Sequence, residues 1–192
     1  NLATLYQKKK DYAKAIVQLE QARITIEKGA GKNHPTYATV LSNLGALYQD
    51  MGQYELSEKM WNESVALRLQ MLGEDHPDYA RALYGLAGVQ FATGNWSKAD
   101  ANFTLVIEKF QQQIASYFHV LSEKEKGALY ARIKPIFETY YDFCIQMAYQ
   151  QKNATVMLER LYNLQLNTKA ILLNASNKVR ASIQQSADAD LK

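Results

Sequence analysis

The feature that most constrains this chain is a near-repetition. GKNHPTYA at 31–38 returns as GEDHPDYA at 73–80, with Gly, His, Pro, Tyr and Ala in register at an offset of 42 residues. The same offset links Leu2, Leu44 and Leu86; Tyr12, Tyr54 and Trp96; and Leu19, Trp61 and Phe103. Three copies share one frame, and the first is entered partway through. A unit of this size cannot bury its own apolar face and does so by stacking on its neighbours, so a chain of 192 residues built this way needs no single globular centre.

Within each copy the apolar spacing describes two helices. Leu41, Leu44, Gly45 and Tyr48 fall at helix spacing, Met51-Gly52-Gln53 interrupts them, and Leu56, Met60, Val65, Leu67 and Met71 form a second apolar stripe. The first copy supplies Leu2, Ala3 and Tyr6, then Ala15, Leu19, Ala22 and Ile26. The third supplies Leu83, Leu86 and Ala87, then Ala99, Phe103 and Val106. Small residues mark where two helices approach closely, and large ones fill the space beside them.

His34 and His76 invite a metal or acid–base reading, but their setting explains them as joint residues. Proline suits the first position of a helix and pushes the residue before it out of the helical region, which places each histidine at or beside an N-cap. Around His76, Gly73 suits the left-handed end of the preceding helix, Asp75 offers an oxygen to free N–H groups, and Asp78 puts negative charge where the helix dipole favours it. Metal ligands converge at about 2 Å from the ion. These two histidines are a whole repeat apart, and His119 is out of frame because Phe118 holds the next slot. No metal site is assigned.

After FQQQIASYFHV at 110–120 the 42-residue echo stops while helix signals continue. Ser122 to Glu125 is an S-x-x-E capping box opening a helix through about Gln150, with Pro135 as a break or kink inside it. Tyr130, Ile133, Phe137, Tyr140, Tyr141, Cys144, Ile145 and Ala148 make its apolar stripe. Asn153 then caps another helix carrying Met157, Leu161, Leu164, Thr168, Ile171 and Ala175. The expected division is a repeat array over 1–113, its first repeat truncated, and a divergent helical pair with a linker segment over 114–192.

Leu41-x2-Leu44-Gly45-x2-Tyr48 resembles the first helix of the tetratricopeptide repeat, W-x2-L-G-x2-Y, with Leu in place of Trp. Ala15-x3-Leu19, Ser57-x3-Trp61 and Ala99-x3-Phe103 resemble its second, A-x3-F, while Glu27, Leu69 and Gln111 stand where the closing proline would be. The longer period, with His-Pro at the joint, is similar to the kinesin light chain type of the repeat. This resemblance, over residues 1 to about 113, implies an all-α fold. It would be a right-handed superhelical solenoid of antiparallel helix pairs, with extra helices at its C-terminal end. It also implies a concave groove formed mainly by the first helix of each pair. Carried onto this sequence, the groove positions are Asn1, Thr4, Thr39, Ser42, Asn43, Ala46, Arg81, Tyr84 and Gly88. Asn43 and Asn1 match the family position whose side-chain amide grips a peptide backbone, and Gly85 replaces it in the third copy, interrupting the clamp. The same polar positions read equally as a solvated face with no ligand.

Two further blocks, LSEKEKGALYARIKPIFETYYDFCI at 121–145 and LYNLQLNTKAILLNASNKVRASIQQSADADLK at 161–192, carry a second resemblance. They are similar to the segment joining a tetratricopeptide array to a CHAT domain, a caspase-like cysteine peptidase, in bacterial proteins. The implied function is an interaction and regulatory module that receives a protein or peptide segment and controls a downstream peptidase, which would also be an intramolecular partner. The alternative is a structural scaffold or kinesin-light-chain-like adaptor with no linked peptidase.

Composition removes other classes. Net charge is +3 from 22 basic and 19 acidic residues, and the one basic run is Lys8-Lys9-Lys10, so no nucleic-acid partner is expected. The single cysteine, Cys144, rules out an intramolecular disulfide and sits inside an apolar stripe with no histidine near it in sequence, so it is not a catalytic nucleophile. No Gly-rich phosphate loop or Cys/His cluster occurs, so neither enzymatic activity nor a cofactor is expected. Apolar runs such as Ala170 to Leu173 fall far short of the roughly 20 residues of a membrane span. No membrane partner is expected, and the expected location is cytoplasmic.

Overall fold

A computed structural model describes residues 6–7, 9–150 and 155–169, and every regular element among them is helical. The helices are α1 (Tyr12–Gly29), α2 (Pro35–Asp50), α3 (Tyr54–Leu72), α4 (Pro77–Ala92), α5 (Trp96–Tyr117) and α6 (Glu123–Gln150), followed by α7 (155–169). They fall into two compact units, Asn1–Val106 and Ile107–Lys192, divided within α5.

Left-handed residues punctuate the first unit at a regular interval. Positive φ occurs at Lys10, Gly31, Gly52, Gly73 and Gly94, so the chain turns every 21 residues, half the sequence period. Two kinds of turn alternate. At Lys10, Gly52 and Gly94 the turn is tight: Gly52 donates its N–H to the Gln49 carbonyl and Gln53 to that of Tyr48, and the pairs Lys10–Gln7 with Asp11–Tyr6 and Gly94–Phe91 with Asn95–Gln90 repeat it. This double bond pattern closes a helix end on a left-handed residue. A side chain at Gly31, Gly52 or Gly73 would meet nothing within 4 Å, so backbone conformation and not space selects glycine there.

The longer turns, after Gly31 and Gly73, run into His34-Pro35 and His76-Pro77. Both histidines are the N-caps themselves. The imidazole Nδ1 of His34 accepts the Thr36 N–H at 3.2 Å, and that of His76 accepts the Asp78 N–H at 3.1 Å. Each ring satisfies one of the free donors at a helix start, as an Asn or Asp side chain does at other N-caps.

In the first unit α1 packs on α2, α2 on α3, α3 on α4, and α2 also touches α4. Ala15, Leu19, Val40, Leu44 and Leu47 form one buried cluster between α1 and α2; Trp61, Ala82, Leu86 and Val89 form another between α3 and α4. Phe91 and Tyr84 of α4 meet Phe103 of α5 edge to face at 6.4 and 6.3 Å. The expected apolar stripe of α3 is out of phase. Its buried residues are Ser57, Trp61, Ser64 and Arg68, while Leu56 is 45% exposed and Met60, Val65, Leu67 and Met71 are half-buried. Three of the four inward positions are polar, so apolar periodicity selects the neighbouring face.

The second unit shows a similar shift. In α6 the buried positions are Lys126, Leu129, Ile133, Ile136, Phe137, Tyr140, Phe143, Cys144 and Met147, whereas Tyr130 and Ile145 of the expected stripe are exposed. Tyrosine, amphipathic by construction, misleads a hydrophobic count. Cys144 is fully buried. The capping box forms as read: the Ser122 N–H and hydroxyl reach Glu125 Oε2 at 2.9 and 2.6 Å, and the Glu125 N–H returns to Ser122 Oγ at 3.4 Å. Of the break or kink expected at Pro135, the break does not occur; α6 continues through it. Ala131, whose carbonyl lacks the N–H that proline cannot supply, is on the exposed side, where water can satisfy it. In α7, Met157 and Leu164 are buried as expected. Asn153, Ile171 and Ala175 lie outside the described residues.

Candidate functional site

The first helices of two pairs, α2 and α4, carry the candidate groove positions, and one buried cation organises them. Arg68, on the inward face of α3, has a side chain only 9% exposed. Its Nε donates to Ser64 Oγ at 3.3 Å and its Nη2 to Thr39 Oγ1 and Ser42 Oγ, each at 3.5 Å. Its Nη1 reaches both the carbonyl and the Oδ2 of Asp78 at 3.3 Å. Burial holds the guanidinium below the usual arginine pKa, with Asp78 opposing that shift and Arg81 adding to it. Arginine nonetheless stays protonated throughout the working range. Five hydrogen-bond donors in a fixed fork suit it to join α2, α3 and α4 at one point.

Three expected groove residues converge here. Thr39 is exposed, and its hydroxyl donates to the Pro35 carbonyl while accepting from Arg68. Ser42 shares a 2.8 Å hydrogen bond with Ser64, whose hydroxyl also reaches the Ala38 carbonyl at 2.9 Å. Arg81, 52% exposed, pairs with Asp78 Oδ1 at 3.0 Å. The Asp78 carboxylate thus bridges a buried arginine and an exposed one.

The other candidates serve packing. Ala46 lies against the Trp61 cluster, Tyr84 meets Phe103, and Gly88 faces Gln49, whose Nε2 would be 3.7 Å from an added Cβ. Asn43 is half-buried on α2. Asn1 and Thr4 lie outside the described residues.

The sequence reading missed Arg68, Ser64 and the role of Asp78 as a bridge. It also left Gly85 as an unexplained gap in the amide series. A Cβ on Gly85 would lie 2.4 Å from the Trp61 ring, and one on Gly45 would lie 2.8 Å from it. The indole is wedged between α2 and α4, so any side chain at 85 collides with it. In the preceding copy the equivalent pair is Leu19 and Asn43, a smaller side chain opposite a larger one. That exchange of size was the signal that could have been read. The indole Nε1 is buried without a hydrogen-bond partner among the described residues.

Among the described residues no group of three or more His, Cys, Asp or Glu could hold a metal ion. No described helix is long and apolar enough to cross a membrane.

Antiparallel helix pairs repeating every 42 residues, joined at His-Pro caps and presenting polar side chains from their first helices, define a helical-repeat protein. The tetratricopeptide repeat pattern matches residues 1–55 and 36–112, more than half of the 192, and the chain belongs to that family. Its fold is the all-α tetratricopeptide solenoid.

Solved structures share that fold. One is a Podosopora anserina structure of kinesin light chain type with nearly identical TPR-like repeats, at TM-score 0.54 and 19% identity, covering 96% of this chain and 93% of that one. Another is BtubC (BKLC) from P. vanneervenii, at TM-score 0.53 and 17% identity, covering 95% of this chain and 78% of that one. By sequence, clustered mitochondria protein homologs of Aedes aegypti and Culex quinquefasciatus are each 28% identical over 100 residues, 52% of this chain. The match spans 7% of the length of those relatives. Tetratricopeptide repeats are in general protein-interaction scaffolds, and the fold is typically non-catalytic.

Proposed function

We propose that this chain is an interaction module that receives an extended peptide or protein segment along α2 and α4, the concave side of its repeat array, and through it controls a downstream caspase-like CHAT peptidase. The observation that carries the groove is the convergence of Thr39, Ser42 and Arg81 on the Asp78 carboxylate and the buried Arg68. Such a cluster offers hydroxyl oxygens as fixed acceptors for backbone N–H groups and one exposed cation for a carbonyl or carboxylate, at little ordering cost because the fold already holds the side chains in place. Asn43 supplies an amide to the same helix. The coupling to a peptidase rests on the sequence blocks 121–145 and 161–192, as does the reading of residues 114–192 as a divergent pair and linker. In this reading the module acts in the cytoplasm.

The test uses a peptide selected by display against the intact chain. Arg81→Glu and Asn43→Ala should each weaken its binding about tenfold or more while the helical circular dichroism stays unchanged. Unchanged affinity in both variants removes the groove. The peptidase coupling is tested separately, by assaying the CHAT region of the parent protein with and without this module and its peptide. A structural scaffold or kinesin-light-chain-like adaptor with no linked peptidase is the second reading, compatible with the fold shared by the solved structures.

A further inference from the structure

The second unit carries an apolar face that the groove does not use. On α7, Leu158, Tyr162 and Leu166 are 62, 63 and 45% exposed, and Tyr149 near the end of α6 is 88% exposed. Ile145, one turn before Tyr149, is exposed as well. Apolar side chains gathered in this way on one pair of helices, and not scattered singly, mark an interaction surface. Between the same two helices lies a cavity of about 450 Å³ with Tyr130, Phe137 and Tyr141 as its aromatic walls.

The face is complementary to itself. Leu158-x3-Tyr162-x3-Leu166 reads the same from either end, and residues four apart on a helix form a ridge that packs against the ridges of another. A second α7 running antiparallel, with a two-fold axis at Tyr162, sets Tyr162 on the partner's Tyr162 and Leu158 beside the partner's Leu166. Two-fold pairs are the commonest assembly of identical chains, and they require one patch that matches itself.

A projecting ring and a hollow also fall at matching distances from that axis. The hydrogen bond between Tyr141 and Gln165 sets the register of the antiparallel helices α6 and α7. At 1.5 Å per residue, Tyr162 lies about 4.5 Å along the helices from that bond, and Tyr149 about 7.5 Å further on. The two-fold carries Tyr149 to a level about 3 Å past the partner's Tyr141, toward Phe137 and Glu138, which line the cavity. The charges agree with this arrangement. Exposed Glu159 is on the Tyr149 side of the axis and exposed Lys169 on the cavity side, so antiparallel pairing brings opposite charges together. Tyr149 and Tyr162 alone offer roughly 300 Å² per copy, a large share of the ~800 Å² per partner in a standard interface.

We propose that the α6–α7 face pairs two copies of this chain about a two-fold axis at Tyr162, with Tyr149 of each copy seated in the α6–α7 cavity of the other.

The test uses the full 192-residue chain. Analytical ultracentrifugation should show a reversible monomer–dimer equilibrium between about 1 and 200 μM. Tyr162→Glu and Tyr149→Ser should each weaken dimerisation about tenfold or more, with the helical circular dichroism unchanged because both side chains are exposed. Tyr162→Cys should form an intermolecular disulfide on mild oxidation, since the two-fold sets position 162 against itself, whereas the native Cys144 is buried. Tyr117→Cys, exposed at the end of α5, is the control and should cross-link far more slowly. A chain that stays monomeric throughout this range overturns the proposal, whatever then covers the face. A dimer that either Tyr162→Glu or Tyr149→Ser leaves intact, or equal cross-linking at 117 and 162, overturns it too.

Discussion

The indole of Trp61 occupies the space that a side chain on Gly85 would need, the ring lying 2.4 Å from where a Cβ would stand. An aromatic residue on α3 thus fixes the residue permitted on α4. Gly85→Ala should destabilise the first unit by about 1–3 kcal/mol, the usual cost of overpacking. Trp61→Leu with Gly85→Asn transplants the Leu19/Asn43 pairing of the preceding copy and should recover part of that loss. Chemical denaturation of Trp61→Leu, Gly85→Asn and the double variant gives the coupling directly, and strict additivity would contradict the wedge.

Among the described residues, Lys10 is the one non-glycine with left-handed backbone, at a position the other turns fill with glycine. Lys10→Gly should raise stability by about 1 kcal/mol, because only glycine takes positive φ without steric cost. Gly52→Ala should lower it by a similar amount. Thermal unfolding checks both, and a neutral Gly52→Ala would mean that the turn relaxes.

Arg68 holds three helices through five contacts. Arg68→Ala removes the charge-assisted hydrogen bonds and buried packing that join the three helices, while Asp78 keeps Arg81, and should cost about 1–3 kcal/mol. Arg68→Lys should also destabilise, since a point charge cannot reach Ser64, Asp78 and the Thr39–Ser42 pair together. Replacing Arg68 by Met together with Asp78→Asn removes both charges and should be milder than Arg68→Ala. Urea unfolding ranks the three variants, and an Arg68→Ala loss below about 1 kcal/mol would show that the network adds little.

Both histidines act as caps through Nδ1. His76→Ala should cost about 1 kcal/mol, while His76→Asn, which keeps an acceptor at that distance, should be nearly neutral. Zinc or a chelator should leave the thermal midpoint of the parent chain unchanged. A shift with zinc that His34→Asn abolished would restore a metal role.

Much of this architecture is local and therefore legible. The histidine caps follow from the residues on either side of them, and the capping box at Ser122 from four consecutive residues. Periodicity failed where inward positions are not apolar. On α3 the buried face runs through Ser57, Ser64 and Arg68, and a hydrophobic count slides to Leu56 and Met60 instead. Pairwise complementarity was equally hidden: nothing local to Gly85 announces Trp61, which lies on another helix. The left-handed turns at 31, 52, 73 and 94 were in plain view, yet the stronger 42-residue echo concealed their half-period. Of the candidate site, Thr39, Ser42 and Arg81 were legible from the family frame, whereas the arginine beneath them was not.

The most direct measurement is hydrogen–deuterium exchange of the intact chain with and without a tightly bound selected peptide. Binding along the proposed groove slows exchange in the backbone amides of α2 and α4, with the largest change near Ser42 and Arg81, and the protection disappears with Arg81→Glu. Protection confined to α3, α5 or the second unit, or retained in full by Arg81→Glu, would contradict a groove built on the first helices of the repeats.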